Sequence, residues 1–126
     1  MSDIDDFKKV NDIYGHQQGD SAIKIIGDLI RNSISENDFA GRYGGEEFLI
    51  VFNTNDVDLV KSKMEKMKEC LIKYTKPLNI TISTGIYKFN PDNDRIKDAI
   101  RKADETLYYV KKNGKNAVKL YDEIKK

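Results

Sequence analysis

The sequence predicts an α/β fold in which helices cover a mixed sheet built around one β-hairpin. Three observations carry that expectation. Apolar residues recur at three- and four-residue steps in three long segments, they form short runs or alternations between those segments, and one pair of runs is joined through Tyr43-Gly44-Gly45. At 126 residues, the chain fits one domain with one core.

The elements follow in order. Met1 to Asp5 reads as the end of a strand, and Asp6 to Ile13 as a short helix that stops before Gly15. From Ser21 to Ile34 the residues Ala22, Ile23, Ile26, Leu29, Ile30 and Ile34 line one face of an amphipathic helix. Phe39, Ala40 and Tyr43 mark the first strand of the hairpin, and the continuous run Phe48-Leu49-Ile50-Val51-Phe52 marks the second. Between them the Gly44-Gly45 pair is expected to supply the positive φ of a tight hairpin turn, holding Glu46 and Glu47 at a bent edge. A second long helix runs from about Asp56 to Tyr74, with Met64 and Met67 as core filling, and Pro77 ends it. Ile80, Ile82, Ile86 and Phe89, interleaved with Thr81, Ser83 and Tyr87, mark a strand. A third helix spans Asp94 to Asn113 ahead of Gly114, a last strand runs from Ala117 to Tyr121, and a frayed charged tail follows.

Bulk properties exclude several classes. Charged residues are 34% of the chain but the net charge is only +1, so no global field points to a nucleic-acid duplex or an anionic membrane. The lone Cys70 rules out an intrachain disulfide and suits a reducing cytosol. No apolar run reaches the roughly 20 residues of a membrane span, and no leader is evident, so the expectation is a soluble cytoplasmic domain.

Chemistry enters at Arg42-Tyr43-Gly44-Gly45-Glu46-Glu47-Phe48. Adjacent carboxylates at a strand start repel each other unless a cation lies nearby, and a divalent metal with hard oxygen ligands answers that repulsion. Asp3, at the end of one strand, and Glu46, at the start of its presumed neighbour, could meet across a sheet spacing of about 4.8 Å. Four separated blocks stand in this order: Asp3-Ile4-Asp5-Asp6-Phe7-Lys8-Lys9-Val10-Asn11-Asp12 with Gly15-His16-Gln17-Gln18-Gly19-Asp20; Gly44 to Phe48; Thr81-Ile82-Ser83-Thr84-Gly85; and Ala103-Asp104 through Tyr108, Lys111 and Gly114-Lys115-Asn116. Together they resemble the GGDEF domain family, the diguanylate cyclases, which condense two GTP molecules into cyclic di-GMP.

The resemblance implies a palm-like sheet shared with nucleotidyl cyclases and a single domain over residues 1–126. It also implies a Mg²⁺-dependent transferase, with Mn²⁺ as an alternative, that acts as a homodimer releasing pyrophosphate. Asp3, the backbone carbonyl of Ile4, and Glu46 would be metal ligands, with Glu46 also taking the 3′-hydroxyl proton; Glu47 would be a further ligand or a residue that shapes the site. Asn11 and Asp20 match the guanine-binding positions, and a carboxylate accepting from guanine N1–H has no such donor in adenine. Read alone, Asp20 is an N-cap of the Ser21 helix, and only the full Asn11 to Asp20 block favours the guanine role. Lys8, Lys111 and Lys115 match phosphate-neutralising positions, Lys8 facing the developing charge, although any one lysine is also an ordinary solvated cation. Many members carry arginine where Lys115 stands, and lysine keeps the charge without the bidentate fork. Arg42 is expected to pair with nearby acids, and His16 to fix loop shape.

Other departures bear on function. The window Ser35-Glu36-Asn37-Asp38 lacks the arginine of the family's Arg-x-x-Asp product-inhibition site, the connection from Tyr74 to Ile80 is short, and Thr84 replaces a usual apolar residue. The family's usual preceding segment, with a helix and the beginning of the first strand, is absent, so the sheet around Asp3 is expected to be short of support. Expected partners are GTP, a second copy and an upstream sensor domain. The alternative function is a catalytically incompetent GTP-binding or interaction module.

Overall fold

The protein was analysed as a computed structural model that describes residues 1–125. Its elements are β1 (Ser2–Ile4), α1 (Phe7–Tyr14), α2 (His16–Ser33), β2 (Phe39–Arg42), β3 (Glu47–Val51), α3 (Val57–Tyr74), β4 (Ile82–Ile86), α4 (Ile96–Lys112), β5 (Val118–Leu120) and α5 (Tyr121–Ile124). The five strands form one mixed sheet in the order β2-β3-β1-β4-β5. The central strand β1 lies antiparallel to both neighbours, with Asp3 opposite Glu47 on β3 and opposite Ser83 on β4. Only the β4–β5 pair is parallel.

Strand alternation sorts the side chains onto two faces. Ile4, Phe48 and Ile82 join the main core with Val10 of α1, Ala22, Ile26 and Ile30 of α2, and Met64, Met67 and Leu71 of α3. Met1, Ala103 and Leu107 form a second cluster against α4, joined by Leu49 and Ile100. Asp3, Glu47 and Ser83 alternate with the core-facing residues and so share the α4 side. Gly85 makes that packing close, since a Cβ there would lie 2.3 Å from the Leu107 amide nitrogen and 2.5 Å from the Ala103 carbonyl oxygen.

Several expectations need correction. Helix α2 begins at His16, five residues before the expected Ser21, because the α1–α2 break is a single residue, Gly15 at φ 94°, and not a loop. Asp20 therefore sits inside the helix and is not its N-cap. Neither Gly44 nor Gly45 takes a positive φ; the only glycines that do, among the described residues, are Gly15 and Gly114. The turn is stapled instead by Tyr43 N–H donating to the Glu47 carbonyl at 2.8 Å and by Arg42 Nε donating to the Gly45 carbonyl at 3.0 Å. Arg42 thus spends its guanidinium on a carbonyl of its own turn in place of the expected carboxylate. The strand expected over Ile80 to Phe89 is confined to Ile82–Ile86, the last strand ends at Leu120 and not at Tyr121, and residues 121–124 are helical in place of the expected strand end and frayed tail, with Glu123 accepting from the Leu120 amide and from Lys61. Lys126 lies outside the described residues.

Candidate functional site

The candidate site is assembled at the end of β1, where the central strand passes into α1. Ile4 N–H donates to the Glu46 carbonyl at 3.2 Å, and Asp3 stands opposite Glu47, so the two motif blocks meet in strand register. Asp3 Oδ1 is buried without a hydrogen-bond partner. Burial drives the Asp3 carboxyl up to about 6 against the pull of Lys111, with Glu46, Glu47 and Asp5 adding negative charge around it. A charged oxygen held out of water without a donor is the environment a hard cation relieves. Among the described residues no three His, Cys, Asp or Glu side chains converge as a ready cage. The groups beside this oxygen that could help hold a cation are the Ile4 carbonyl, Glu47 opposite Asp3, and Glu46 one residue before Glu47, whose own carbonyl accepts from Ile4 N–H.

Beside it lies a carboxylate that sequence reasoning missed. Asp5 lies in the turn directly after β1, two residues beyond Asp3, and is only 3% exposed. Its oxygens accept from Ser83 Oγ at 2.6 Å, Thr81 Oγ1 at 2.7 Å, Lys111 Nζ at 2.7 Å and Asn116 N–H at 3.0 Å. Burial opposes its charge, but the hydrogen bonds from Lys111, Ser83 and Thr81 outweigh that and hold it below the usual carboxylate range. Asp5 thereby ties β1 to β4 and to the turn after α4. That turn runs through Gly114, Lys115 and Asn116, all at positive φ, which carries the chain back to the sheet. The Asp-x-Asp spacing was the available signal for this role.

The phosphate candidates divide. Lys111, in the last turn of α4, reaches the site and bonds Asp5 and the carbonyls of Ile4 and Asp3. Lys115 donates to Asp6 Oδ1 at 2.7 Å, and Asp6 opens α1 at φ 54°, a second acid that sequence reasoning left without a role. Lys8 is exposed on α1 and forms no hydrogen bond or ion pair among the described residues. On the same helix Asn11 Oδ1 is buried without a partner. It presses on Gly19, where a Cβ would come within 1.9 Å of it, so the amide lies against the α2 turn that carries the exposed Asp20. Gly19 is thus a third residue of the site that motif reading passed over.

Neither of two surface cavities covers these groups. One of about 820 Å³ is floored by Met1, Leu49, Ile86 and Ile100, and one of about 290 Å³ lies between Tyr14 and Pro77.

Fold and site together define a nucleotidyl-cyclase-like palm with an acidic centre. The sequence model described as "Diguanylate cyclase, GGDEF domain" matches residues 1–117, and the chain belongs to this family. Among curated relatives it is 37% identical over 125 residues to diguanylate cyclase A of Treponema denticola, an alignment covering 95% of this chain and 34% of that protein. The chain spans between 18% and 38% of the length of curated relatives it matches. Among solved structures it resembles the GGDEF domain of DgcB from Caulobacter crescentus in complex with c-di-GMP, at 31% identity and a TM-score of 0.87, over 96% of this chain and 75% of that one. It also resembles the active GGEEF domain of a diguanylate cyclase from Vibrio cholerae, at 32% identity and a TM-score of 0.86, over 95% of this chain and 79% of that one. This chain carries the same Gly-Gly-Glu-Glu-Phe string at residues 44–48.

Proposed function

We propose that this chain is a diguanylate cyclase domain that condenses two GTP into cyclic di-GMP, with Mg²⁺ or Mn²⁺ held by Asp3, Glu46 and the Ile4 carbonyl. The observation that carries this reading is the buried, partnerless Asp3 Oδ1 in register with the Gly-Gly-Glu-Glu hairpin. The bound dication supplies charge neutralisation at the α-phosphoryl and pyrophosphate oxygens. Glu46 accepts the proton of the 3′-hydroxyl as that oxygen attacks the α-phosphorus of the other GTP. Asn11 and Asp20 select guanine through its N1–H and exocyclic amine, and the buried Asn11 oxygen left bare by adenine penalises ATP. Lys8 and Lys115 counter the triphosphate from α1 and from the turn after α4.

One domain holds one GTP, so two copies must face each other, and dimerisation belongs to the mechanism. The same reading places the domain in the cytoplasm, as the output of a longer signalling protein with a sensor upstream. Incubation with GTP and Mg²⁺, followed by chromatographic analysis of products, tests it. Cyclic di-GMP with released pyrophosphate supports the cyclase, whereas intact GTP with saturable binding supports the rival reading, a GTP-binding module without catalysis.

A further inference from the structure

We propose that Lys111 is a resident cation that occupies the metal's seat and is released toward the nucleotide when a dication takes its place. The inference rests on the metal reading above and adds a coupling between metal and phosphate binding. The Lys111 ammonium has three N–H donors. They face Asp5 Oδ1 at 2.7 Å, the Ile4 carbonyl at 3.2 Å and the Asp3 carbonyl at 3.4 Å. Those acceptors exhaust its hydrogen bonds, so no donor remains for a phosphate while the side chain stays there. Its nitrogen also lies 3.7 Å from Asp3 Oδ1, too far for a hydrogen bond but close enough to offset charge.

The Ile4 carbonyl is therefore claimed twice, by Lys111 as found and by the dication as proposed. A monocation and a dication within a few ångströms repel strongly in a partly desolvated site, so the two do not share that seat. The lysine stem is flexible and leaves easily. Asp5 keeps three donors on its departure, Ser83 Oγ, Thr81 Oγ1 and Asn116 N–H, and the positive charge it loses is replaced by the incoming dication. Free of the carbonyls, Lys111 has its donors available at the end of α4 for an incoming triphosphate. Lys115 provides the internal contrast, as it carries the same charge but is bound to Asp6, away from the Ile4 carbonyl.

Free Mn²⁺ followed by electron paramagnetic resonance, without nucleotide and at about pH 8 so that Asp3 is ionised, tests the proposal. Lys111→Met should bind Mn²⁺ roughly three- to tenfold more tightly than the unmodified chain, and Lys115→Met should not differ. Lys111→Gln, which keeps a donor but not the charge, should follow Lys111→Met and serves if the methionine variant folds poorly. Binding of a non-hydrolysable GTP analogue, measured by calorimetry, should weaken on Lys111→Met when Mg²⁺ is present and stay unchanged in chelator. Equal or weaker Mn²⁺ binding by the Lys111 variants, or an equal loss of nucleotide affinity with and without Mg²⁺, overturns the release mechanism while leaving the metal site standing. Absence of Mn²⁺ binding by the unmodified chain, or binding that Asp3→Asn leaves unaltered, overturns the metal reading and this proposal together.

Discussion

In the proposed reading the chemistry turns on Asp3, and the environment of this residue sets a sign that can be measured. Its carboxyl rises from 3.8 to about 6 on folding, first because it is buried. The folded chain therefore binds this proton more tightly than the unfolded chain, so the contribution of Asp3 to stability falls as pH rises from about 4 through 6, and the ionised group weakens the fold at neutral pH. Asp3→Asn should raise the midpoint of thermal unfolding near pH 7.5 in chelator by several degrees, corresponding to about 1–2 kcal/mol after allowance for partial exposure. The gain should vanish near pH 4, and Mg²⁺ should stabilise the unmodified chain but not the variant; calorimetry at the two pH values checks both. Asp5 carries the opposite sign, since its lowered value gives stability above the ordinary carboxylate range that is lost as pH falls through it. The sequence made Asp3, Glu46 and Asn11 visible because their residue types lie in recognisable strings. It hid Asp5 and Asp6, because nothing local shows that a carboxylate is saturated by Ser83 and Thr81 or bound to Lys115 across the chain.

At the scale of elements, helix periodicity was the most legible feature. The 18-residue helix α3 and the 17-residue α4 fall where their apolar stripes put them, since one buried face over several turns writes an unambiguous period. The α1–α2 junction was misread, because Gly15 breaks the helices in one residue and the polar run His16 to Asp20 carries no apolar stripe to announce a helix. The hairpin position was legible, but its turn chemistry was not: hydrogen bonds from Tyr43 and Arg42 replace the expected positive φ. Two glycines test how elements place the site. Gly19→Ala should lower GTP affinity about tenfold by displacing the Asn11 amide, with little loss of stability because alanine favours the helix. An unchanged dissociation constant in calorimetry would remove Asn11 from the guanine site. Gly85→Ala meets α4 backbone, not a movable side chain, so it should cost about 1–3 kcal/mol or more in denaturant unfolding as α4 lifts from β4.

For the molecule as a whole, resemblance fixed the topology that local patterns could not. A three-residue central strand flanked on both sides by antiparallel partners has no local signature; only the order of separated motifs pointed to it. Feedback by product is a property at this scale, and the hydrogen bonding of the Asp38 loop argues against it. Asp38 accepts from Ser35 N–H at 2.9 Å and Asn53 N–H at 2.8 Å, so its carboxylate is spent on holding its own loop, and no arginine stands at Ser35. Calorimetry with cyclic di-GMP should show no sub-micromolar binding at this loop, and Asp38→Ala should leave any product affinity unchanged; tight binding abolished by that substitution would contradict it.

The account is tested most directly by anomalous diffraction from crystals grown with Mn²⁺ and a non-hydrolysable GTP analogue. It predicts a manganese peak bounded by the Asp3 carboxylate, the Glu46 carboxylate and the Ile4 carbonyl, with the analogue's phosphates completing the shell. A peak lying elsewhere, or nucleotide bound in full with no manganese between those three groups, would contradict it.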